Sequence, residues 1–196
     1  MKKPVLTKDE ITGVVLAGGR STRFGQNKSL YVYNGKPLVE YAIESLTPYC
    51  GKLLLSTNSP QDLAFTGLQT IEDLHKDCGP LGGIHSALAH AQTKIVVFAG
   101  CDMPFLDGRI FPFLADYLMH HRAAAPMHNG FRETLCMVIR KDCLDEVETV
   151  IQQRNFKLLQ LHDRLNTAFV EVTAQDFYSP KMFHNINTRA DLDIGH

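Results

Sequence analysis

Short apolar runs alternate along this chain with stretches in which apolar residues recur at helical spacing. This order limits the fold, because strands that alternate with helices pair mainly in parallel and are covered by those helices. The run KIVVFA at residues 94–99 is apolar without interruption, as expected of a strand buried on both faces. The sequence therefore predicts an α/β fold with a mostly parallel central sheet and helices on both faces.

The individual elements follow from these runs and from the turn residues between them. Strands are predicted at residues 11–16, 52–56, 70–71, 94–99, 123–126, 135–140 and 167–172, with another candidate ending at 185–187. Helices are predicted at residues 37–46, 84–91, 109–121, 142–153 and 157–165. No repeat, linker or low-complexity tract interrupts this order, which predicts a single domain over residues 1–196.

Composition excludes several classes of function. The formal net charge is −1, whereas a domain that binds nucleic acid duplexes usually carries a strong basic excess. The five cysteines form no CxxC pair, and an odd number indicates reduced thiols rather than a disulfide framework. No signal peptide and no uninterrupted apolar run of membrane-spanning length is found, so we expect a cytoplasmic protein with no membrane partner.

The stretch LAGGRSTRFGQNK at residues 16–28 follows the first predicted strand and is rich in glycine and cations. Gly18 and Gly19 let the backbone approach a ligand and point N–H groups at phosphate oxygens. Arg23 and Lys28 add positive charge that suits the same oxygens. The alternative is a strand-to-helix turn with solvated basic residues. Neither the Walker pattern GxxxxGK[ST] nor the dinucleotide pattern GxGxxG is present, which predicts phosphate binding of another kind.

Polar residues also follow the other predicted strands, and ligands of open α/β sheets bind at the carboxyl ends of strands. Asn58, Asp73 and Asp102 come after three of these strands, and Asn185 and Asn187 lie in the C-terminal candidate. A carboxylate at the end of the most apolar strand suits Mg²⁺, which prefers a few carboxylates together with phosphates and water. The alternative for Asp102 is a helix cap. The Asp73 carboxylate can accept two hydrogen bonds from the amidine edge of a purine, or it is an ordinary surface acid.

Three further patterns carry less information. The glycine cluster GPLGGI at residues 79–84 either wraps a base or sugar with its N–H groups or packs tightly against the sheet. The nine histidines show no metal-binding spacing, so zinc chemistry is disfavoured. No GxSxG elbow is present to support a nucleophilic serine. Cys101 is predicted to be a buried thiol at the end of a strand.

Four motifs occur in the same order as in a known family: LAGGRSTRFGQNK, GPLGGI, CDMPF and FHNINTRADL. Together they resemble the MobA-type nucleotidyltransferases, the molybdenum cofactor guanylyltransferases. The resemblance implies a Rossmann-like nucleotidyltransferase fold that transfers GMP from GTP to molybdopterin (the molybdenum cofactor), with Mg²⁺ as cofactor and release of pyrophosphate. It also implies association with other cofactor-synthesis proteins.

The resemblance assigns roles by position in this sequence. Nucleotide binding falls to Leu16, Ala17, Gly18, Gly19, Lys28, Asn58, Asp73 and Asp102, with Asp73 reading guanine. Catalysis falls to Lys28, Arg23 and Asp102, and Asp102 is the Mg²⁺ ligand. Acceptor binding falls to Asn185 and Asn187.

The chain departs from the family pattern at a few positions. Phe24 stands where methionine is usual, Arg189 replaces a proline, and residues 132–135 lack a His-Pro pair. Two alternatives of the same fold therefore stay open, a cytidylyltransferase and a sugar-phosphate nucleotidyltransferase. A non-catalytic nucleotide-binding regulator is a further alternative, but it would not need Lys28 and Asp102 together.

Overall fold

The computed structural model describes residues 7–18, 27–187 and 191. Strands are numbered along the chain as β1 (Ile11–Leu16), β2 (Val32–Tyr33), β3 (Lys36–Pro37), β4 (Lys52–Ser56), β5 (Gln69–Ile71), β6 (Ile95–Gly100), β7 (Ala123–His128), β8 (Phe131–Arg132), β9 (Met137–Arg140) and β10 (Ala168–Glu171). The α-helices are α1 (Leu38–Leu46), α2 (Pro80–His90), α3 (Ile110–Ala115), α4 (Leu144–Gln152) and α5 (Leu158–Leu165).

The main sheet has eight strands in the order β10–β7–β9–β6–β1–β4–β5, with β8 paired to β7. β1 pairs in parallel with β4 and β6, β4 with β5, and β10 with β7. β9 runs antiparallel between β6 and β7. The predicted, mostly parallel sheet is confirmed. The reversed direction of β9 was not predicted, because a short apolar run does not reveal the direction of a strand.

Two layers of helices cover the sheet. Consecutive residues of a strand point to opposite faces, and in β1 Val15 packs under α1 and α3 while Val14 packs under α2, α4 and α5. The central strands β1 and β6 are buried along their whole length. Their continuous apolar runs are thus explained by burial on both faces, and the predicted helices on both faces are confirmed.

Two helices differ from the prediction by more than two residues at one boundary. α2 begins at Pro80, four residues before the predicted start, because proline favours the first helical turn and packing of Gly82 and Gly83 outweighs their low helix propensity. A Cβ at position 82 would lie 2.7 Å from the carbonyl oxygen of His75. The predicted helix at 109–121 divides into α3 and a 3-10 helix, Asp116–Met119. The glycine cluster therefore serves close packing of α2 against the loop after β5.

The C-terminal strand candidate was wrong. Residues 184–187 have no regular secondary structure, and instead the Ile186 N–H donates to the carbonyl oxygen of Asp102 at 2.9 Å. This segment crosses the carboxyl edge of the sheet rather than extending it. Within the described residues, no helix is long and apolar enough to cross a membrane.

Candidate active site

The carboxyl ends of the parallel strands form one continuous edge. Just past the strands, the Ala17 N–H donates to Ser56 O, the Thr57 N–H to Ile71 O, and the Cys101 N–H to Leu16 O. The chain leaves the sheet at this edge after β1, β4, β5 and β6. The side chains that follow these strands are therefore held in place by the sheet. They lie at its carboxyl edge, where ligands bind in open α/β sheets.

Lys28, Asp102 and Asn187 meet at one part of this edge. The Lys28 ammonium donates to Asp102 Oδ2 at 2.9 Å and to Asn187 Oδ1 at 2.8 Å. The Lys28 side chain is 15% exposed and that of Asp102 is 21% exposed, so the ion pair is only partly screened by water. The structure thus brings together a predicted phosphate-binding cation, a predicted metal ligand and a predicted acceptor residue.

A short turn positions Lys28. The 3-10 helix Lys28–Leu30 is capped by Asn27, whose Oδ1 accepts from the Ser29 backbone N–H at 3.2 Å and from the Ser29 hydroxyl at 2.7 Å. Asn27 Nδ2 in turn donates to Asp62 Oδ2 at 3.1 Å. These bonds hold the base of the Lys28 side chain, so Asn27 is a positioning residue that the sequence did not single out.

The Asp102 carboxylate fits a magnesium ligand. Its Oδ1 is buried and has no hydrogen-bond partner among the described residues, whereas Oδ2 accepts from Lys28. A Cβ at position 100 would lie 2.7 Å from Oδ1, so Gly100 allows the carboxylate to lie against the end of β6. A buried carboxylate oxygen without a donor is costly unless a ligand satisfies it, and a hard cation is such a ligand.

A second polar group forms after β4 and β5. Asn58 Nδ2 donates to Asp73 Oδ2 at 2.8 Å, and Asn58 Oδ1 accepts from the Asp73 backbone N–H at 3.2 Å. Lys76 Nζ also donates to Asn58 Oδ1, at 3.2 Å. Asn58 thereby orients the Asp73 carboxylate, and Oδ1 of Asp73 has no donor within the described ranges. Lys76 was missed by sequence reasoning, although it lies in the same loop as Asp73.

The loop after β1 lies between these two groups. Leu16 and Ala17 are buried, whereas Gly18 is exposed. A Cβ on Gly18 would make an ordinary contact with Ser56 O at 3.6 Å, so packing against the described residues does not require glycine there. Two predicted site residues, Gly19 and Arg23, lie outside the described residues, as do Phe24 and Arg189.

On the predicted acceptor side, Asn187 touches Lys28 directly, and its backbone N–H donates to Asp191 Oδ2 at 2.7 Å. Asn185 is half-buried and adjoins Ile186, which is bonded to Asp102. The C-terminal segment thus lies across the site at the Lys28 and Asp102 end.

Cys101 takes no part in this chemistry. Burial raises the pKa of its thiol to about 12, and the Asp102 carboxylate adds to the effect. The thiol is therefore protonated near neutral pH and is a poor nucleophile. All five cysteines are free and buried, and burial of Cys101 at the end of a strand was predicted.

The histidines lie closer together in the fold than their spacing in the sequence indicates. Sequence spacing predicted no metal-binding set, and the fold brings His75, His85 and Glu148 into a group whose ligand atoms lie within 4.8 Å of one another. The three residues lie on separate elements, so a search for a local motif cannot find them.

The fold and the site together define a nucleotidyltransferase. A family profile of MobA-like NTP transferase domains matches residues 13–167, and the chain belongs to this family. The probable molybdenum cofactor guanylyltransferase of Halalkalibacterium halodurans is 32% identical over 189 residues, covering 92% of this chain and 94% of that protein.

Solved structures agree with this assignment. Molybdopterin-guanine dinucleotide biosynthesis protein A from Archaeoglobus fulgidus is 29% identical, with a TM-score of 0.79, over 93% of this chain and 95% of that one. The manganese complex of Rv0371C from Mycobacterium tuberculosis is 16% identical, with a TM-score of 0.66, over 94% of this chain and 96% of that one. At this identity the second likeness concerns the fold alone.

Proposed function

We propose that this protein transfers GMP from GTP to molybdopterin or the molybdenum cofactor and releases pyrophosphate. The observation that carries the proposal is the convergence of Lys28, Asp102 and Asn187 at one end of the site, beside the Asn58–Asp73 pair at the other. The names of its relatives, which are molybdenum cofactor guanylyltransferases, supply the acceptor. We further propose that residues 1–196 act as one domain, because the sheet draws its strands from residues 11 to 171.

The guanine would be recognised by Asp73. Its Oδ2 is held by Asn58, which leaves Oδ1 at the exposed edge of the sheet. A carboxylate matches the two N–H donors on the guanine edge, whereas cytosine and adenine do not offer this pair of donors. The β1 loop at residues 16–19 would contact the nucleotide between its base and its phosphates.

The phosphates would lie at Lys28 and Asp102. An acceptor phosphate oxygen attacks the α-phosphorus of GTP, a new P–O bond forms, and the bond to the β-phosphate oxygen breaks. Lys28 would turn from Asp102 to the departing pyrophosphate and stabilise its charge, with Arg23 in the same role. Mg²⁺ held at Asp102 would neutralise charge on the phosphate oxygens during this displacement.

The reaction does not require a general base, because the acceptor phosphate is already ionised near neutral pH. The protein therefore contributes positioning and charge stabilisation. Asn187, which already touches Lys28, and Asn185 would hold the acceptor beside the α-phosphate. Delivery of the acceptor by other cofactor-synthesis proteins is part of the same proposal.

The decisive assay incubates the protein with each of the four NTPs and Mg²⁺, with molybdopterin, with a sugar phosphate or with no acceptor, and measures pyrophosphate release. We expect release only with GTP and molybdopterin together. Release with CTP and molybdopterin would identify a cytidylyltransferase. Release only with a sugar phosphate would identify a sugar-phosphate nucleotidyltransferase, and binding without any release would identify a regulator.

Substitution of Asp73 tests the base assignment. We expect Asp73→Asn to weaken GTP binding by about 10- to 100-fold, since hydrogen bonds to a charged group contribute about 1.5–3 kcal/mol. The amide also replaces one acceptor by a donor that faces the guanine N–H groups. Calorimetric titration with GTP, CTP and ATP should show a loss confined to GTP.

Glu72 supplies the matched control for Asp73. Glu72 is its exposed neighbour and pairs with Lys76 at 3.3 Å. Glu72→Gln should keep the preference for GTP. An equal loss in both variants would show that the loop as a whole, rather than the Asp73 carboxylate, determines affinity.

Gly18→Ala tests whether the β1 loop approaches the nucleotide. The added methyl group has room among the described residues, at 3.6 Å from Ser56 O, so we expect an unchanged melting temperature. It would crowd the bound nucleotide and cost about 1–3 kcal/mol of binding free energy, or roughly 5- to 100-fold in Kd. Normal GTP affinity in the variant would mean that the ligand does not approach this backbone.

A further inference from the structure

A further polar cluster, separate from the two groups of the candidate active site, lies on the sheet face that α2 and α4 cover and is formed by His75, His85 and Glu148. The Nε2 atoms of His75 and His85 lie 2.9 and 2.7 Å from the same oxygen, Glu148 Oε2. His75 belongs to the loop after β5, His85 to α2 and Glu148 to α4. Three elements that are distant in sequence thus direct two imidazole nitrogens and a carboxylate oxygen to one point.

The rest of the surroundings maintain this arrangement. Gln152 Nε2 donates to the other carboxylate oxygen, Glu148 Oε1, at 3.0 Å, which turns Oε2 towards the imidazoles. The two rings meet edge to face, with centroids 4.5 Å apart. His85 is buried, and its Nδ1 has no partner in the described part of the chain, so the polar contacts of this ring all pass through Nε2.

The three groups are of the types that bind metal ions. An imidazole binds a metal ion through an unprotonated ring nitrogen and a carboxylate through an ionised oxygen. The ligand atoms lie within 4.8 Å of one another, so one ion can reach all three.

The donor set selects the class of ion. Two imidazole nitrogens and one carboxylate oxygen are typical of Zn²⁺ sites with an open position, whereas Mg²⁺ prefers oxygen ligands. Ligand distances of about 2.0–2.1 Å around Zn²⁺ place its ligand atoms about 3.3 Å apart, so Glu148 Oε2 must move a few tenths of an ångström away from the two imidazole nitrogens, which now lie 2.9 and 2.7 Å from it. The His75 and Glu148 side chains are 36% and 31% exposed, so both can make this small movement and the ion can reach them.

We propose that His75, His85 and Glu148 bind a divalent transition-metal ion, Zn²⁺ before others, at a site separate from Asp102. The ion joins the loop after β5 to α2 and α4, with water at its open position. Gln152 is a positioning residue that orients the Glu148 carboxylate. This site is independent of the proposed function, because it takes no part in nucleotide transfer and its test measures metal binding alone.

The test is titration of the metal-stripped full-length protein with Zn²⁺ in excess Mg²⁺, which occupies oxygen-ligand sites. We expect one Zn²⁺ per chain and a rise in melting temperature, because a ligand that binds only the folded state stabilises it. Co²⁺ in place of Zn²⁺ should give the strong visible absorption of a site of low coordination number. Loss of a residue that only supports a metal ligand weakens metal binding by about 10- to 100-fold. His75→Gln and Glu148→Gln each remove a ligand, so each should weaken Zn²⁺ binding by more than this.

Matched variants make the outcome specific. His120→Gln/His121→Gln removes an adjacent pair of histidines outside the cluster and should leave Zn²⁺ affinity unchanged, while Gln152→Leu should weaken binding about 10- to 100-fold. The exposed ligands His75 and Glu148 are used first, since a buried His85 variant can lose stability for other reasons. Stoichiometric binding that survives His75→Gln/Glu148→Gln, or no Zn²⁺-dependent rise in melting temperature in the unaltered protein, would overturn the proposal and leave a hydrogen-bonded His–Glu–His contact.

Discussion

Asp102→Asn is expected to lower the turnover of GMP transfer by about 10²–10³-fold, the loss typical when one electrostatic partner of a transition state is removed. Asparagine keeps the shape of the side chain but not the charge that a metal ion requires. Oδ1 of Asp102 is buried without a partner in the described residues, so this atom is poised for a cation rather than for a protein donor. Turnover should be measured as pyrophosphate release at saturating GTP and acceptor, over a range of Mg²⁺ concentrations.

The structure also provides a control for Asp102. Asp145 is exposed in the first turn of α4, and α4 follows β9, whose last residue pairs with Ile95 at the amino end of β6. Asp145→Asn should therefore leave turnover and the Mg²⁺ dependence unchanged. Near-normal turnover in a folded Asp102→Asn protein would show that this carboxylate takes no part in the mechanism.

Lys28→Met should lower kcat by about 10²-fold or more, with a smaller effect on KM for GTP. The reason is that charge on the leaving pyrophosphate grows as the bond to the α-phosphorus breaks, so the Lys28 cation is worth more in the transition state than in the bound substrate. Methionine preserves most of the length and the apolar stem of lysine. The measurement is a full kcat and KM determination with GTP and acceptor.

Lys52 is a suitable control for Lys28. It is the first residue of β4, so it lies at the opposite edge of the sheet from the site. Lys52→Met should keep wild-type kinetics. If Lys28→Met raised KM alone and left kcat intact, Lys28 would contribute to binding of the substrate without stabilising the transition state.

Much of the fold could be predicted from local sequence. The boundaries of β1 and β4 were predicted to the residue, because each apolar run ends at polar or glycine residues that leave the sheet. The start of α2 was missed, because glycines in its first turn have low helix propensity and only their packing against residues 73–75 favours the helix. The C-terminal strand was wrong for a related reason, since one bond from Ile186 to Asp102 replaces the ladder that a strand would need.

The candidate site divides in the same way. Asp73 and Asp102 were found because they follow apolar runs, and the carboxyl ends of parallel strands share one edge. Asn27 and Lys76 were missed because their contacts with Asp62 and Asn58 depend on the tertiary fold, and no local spacing reveals them. The cluster of His75, His85 and Glu148 was also missed, since the loop residue His75 and the helix residue Glu148 are separated by 73 positions.

The sequence by itself determined the α/β class, the positions of most strands and the identity of the groups offered at the sheet edge. It could do so because periodicity and turn residues act over a few neighbours, and a local pattern records them directly. Only the tertiary structure decided that Lys28 meets Asp102 across 74 positions and Asn187 across 159. These contacts depend on strand order and helix packing, which bring together residues that are distant in the chain. The local sequence around each residue does not indicate such a contact.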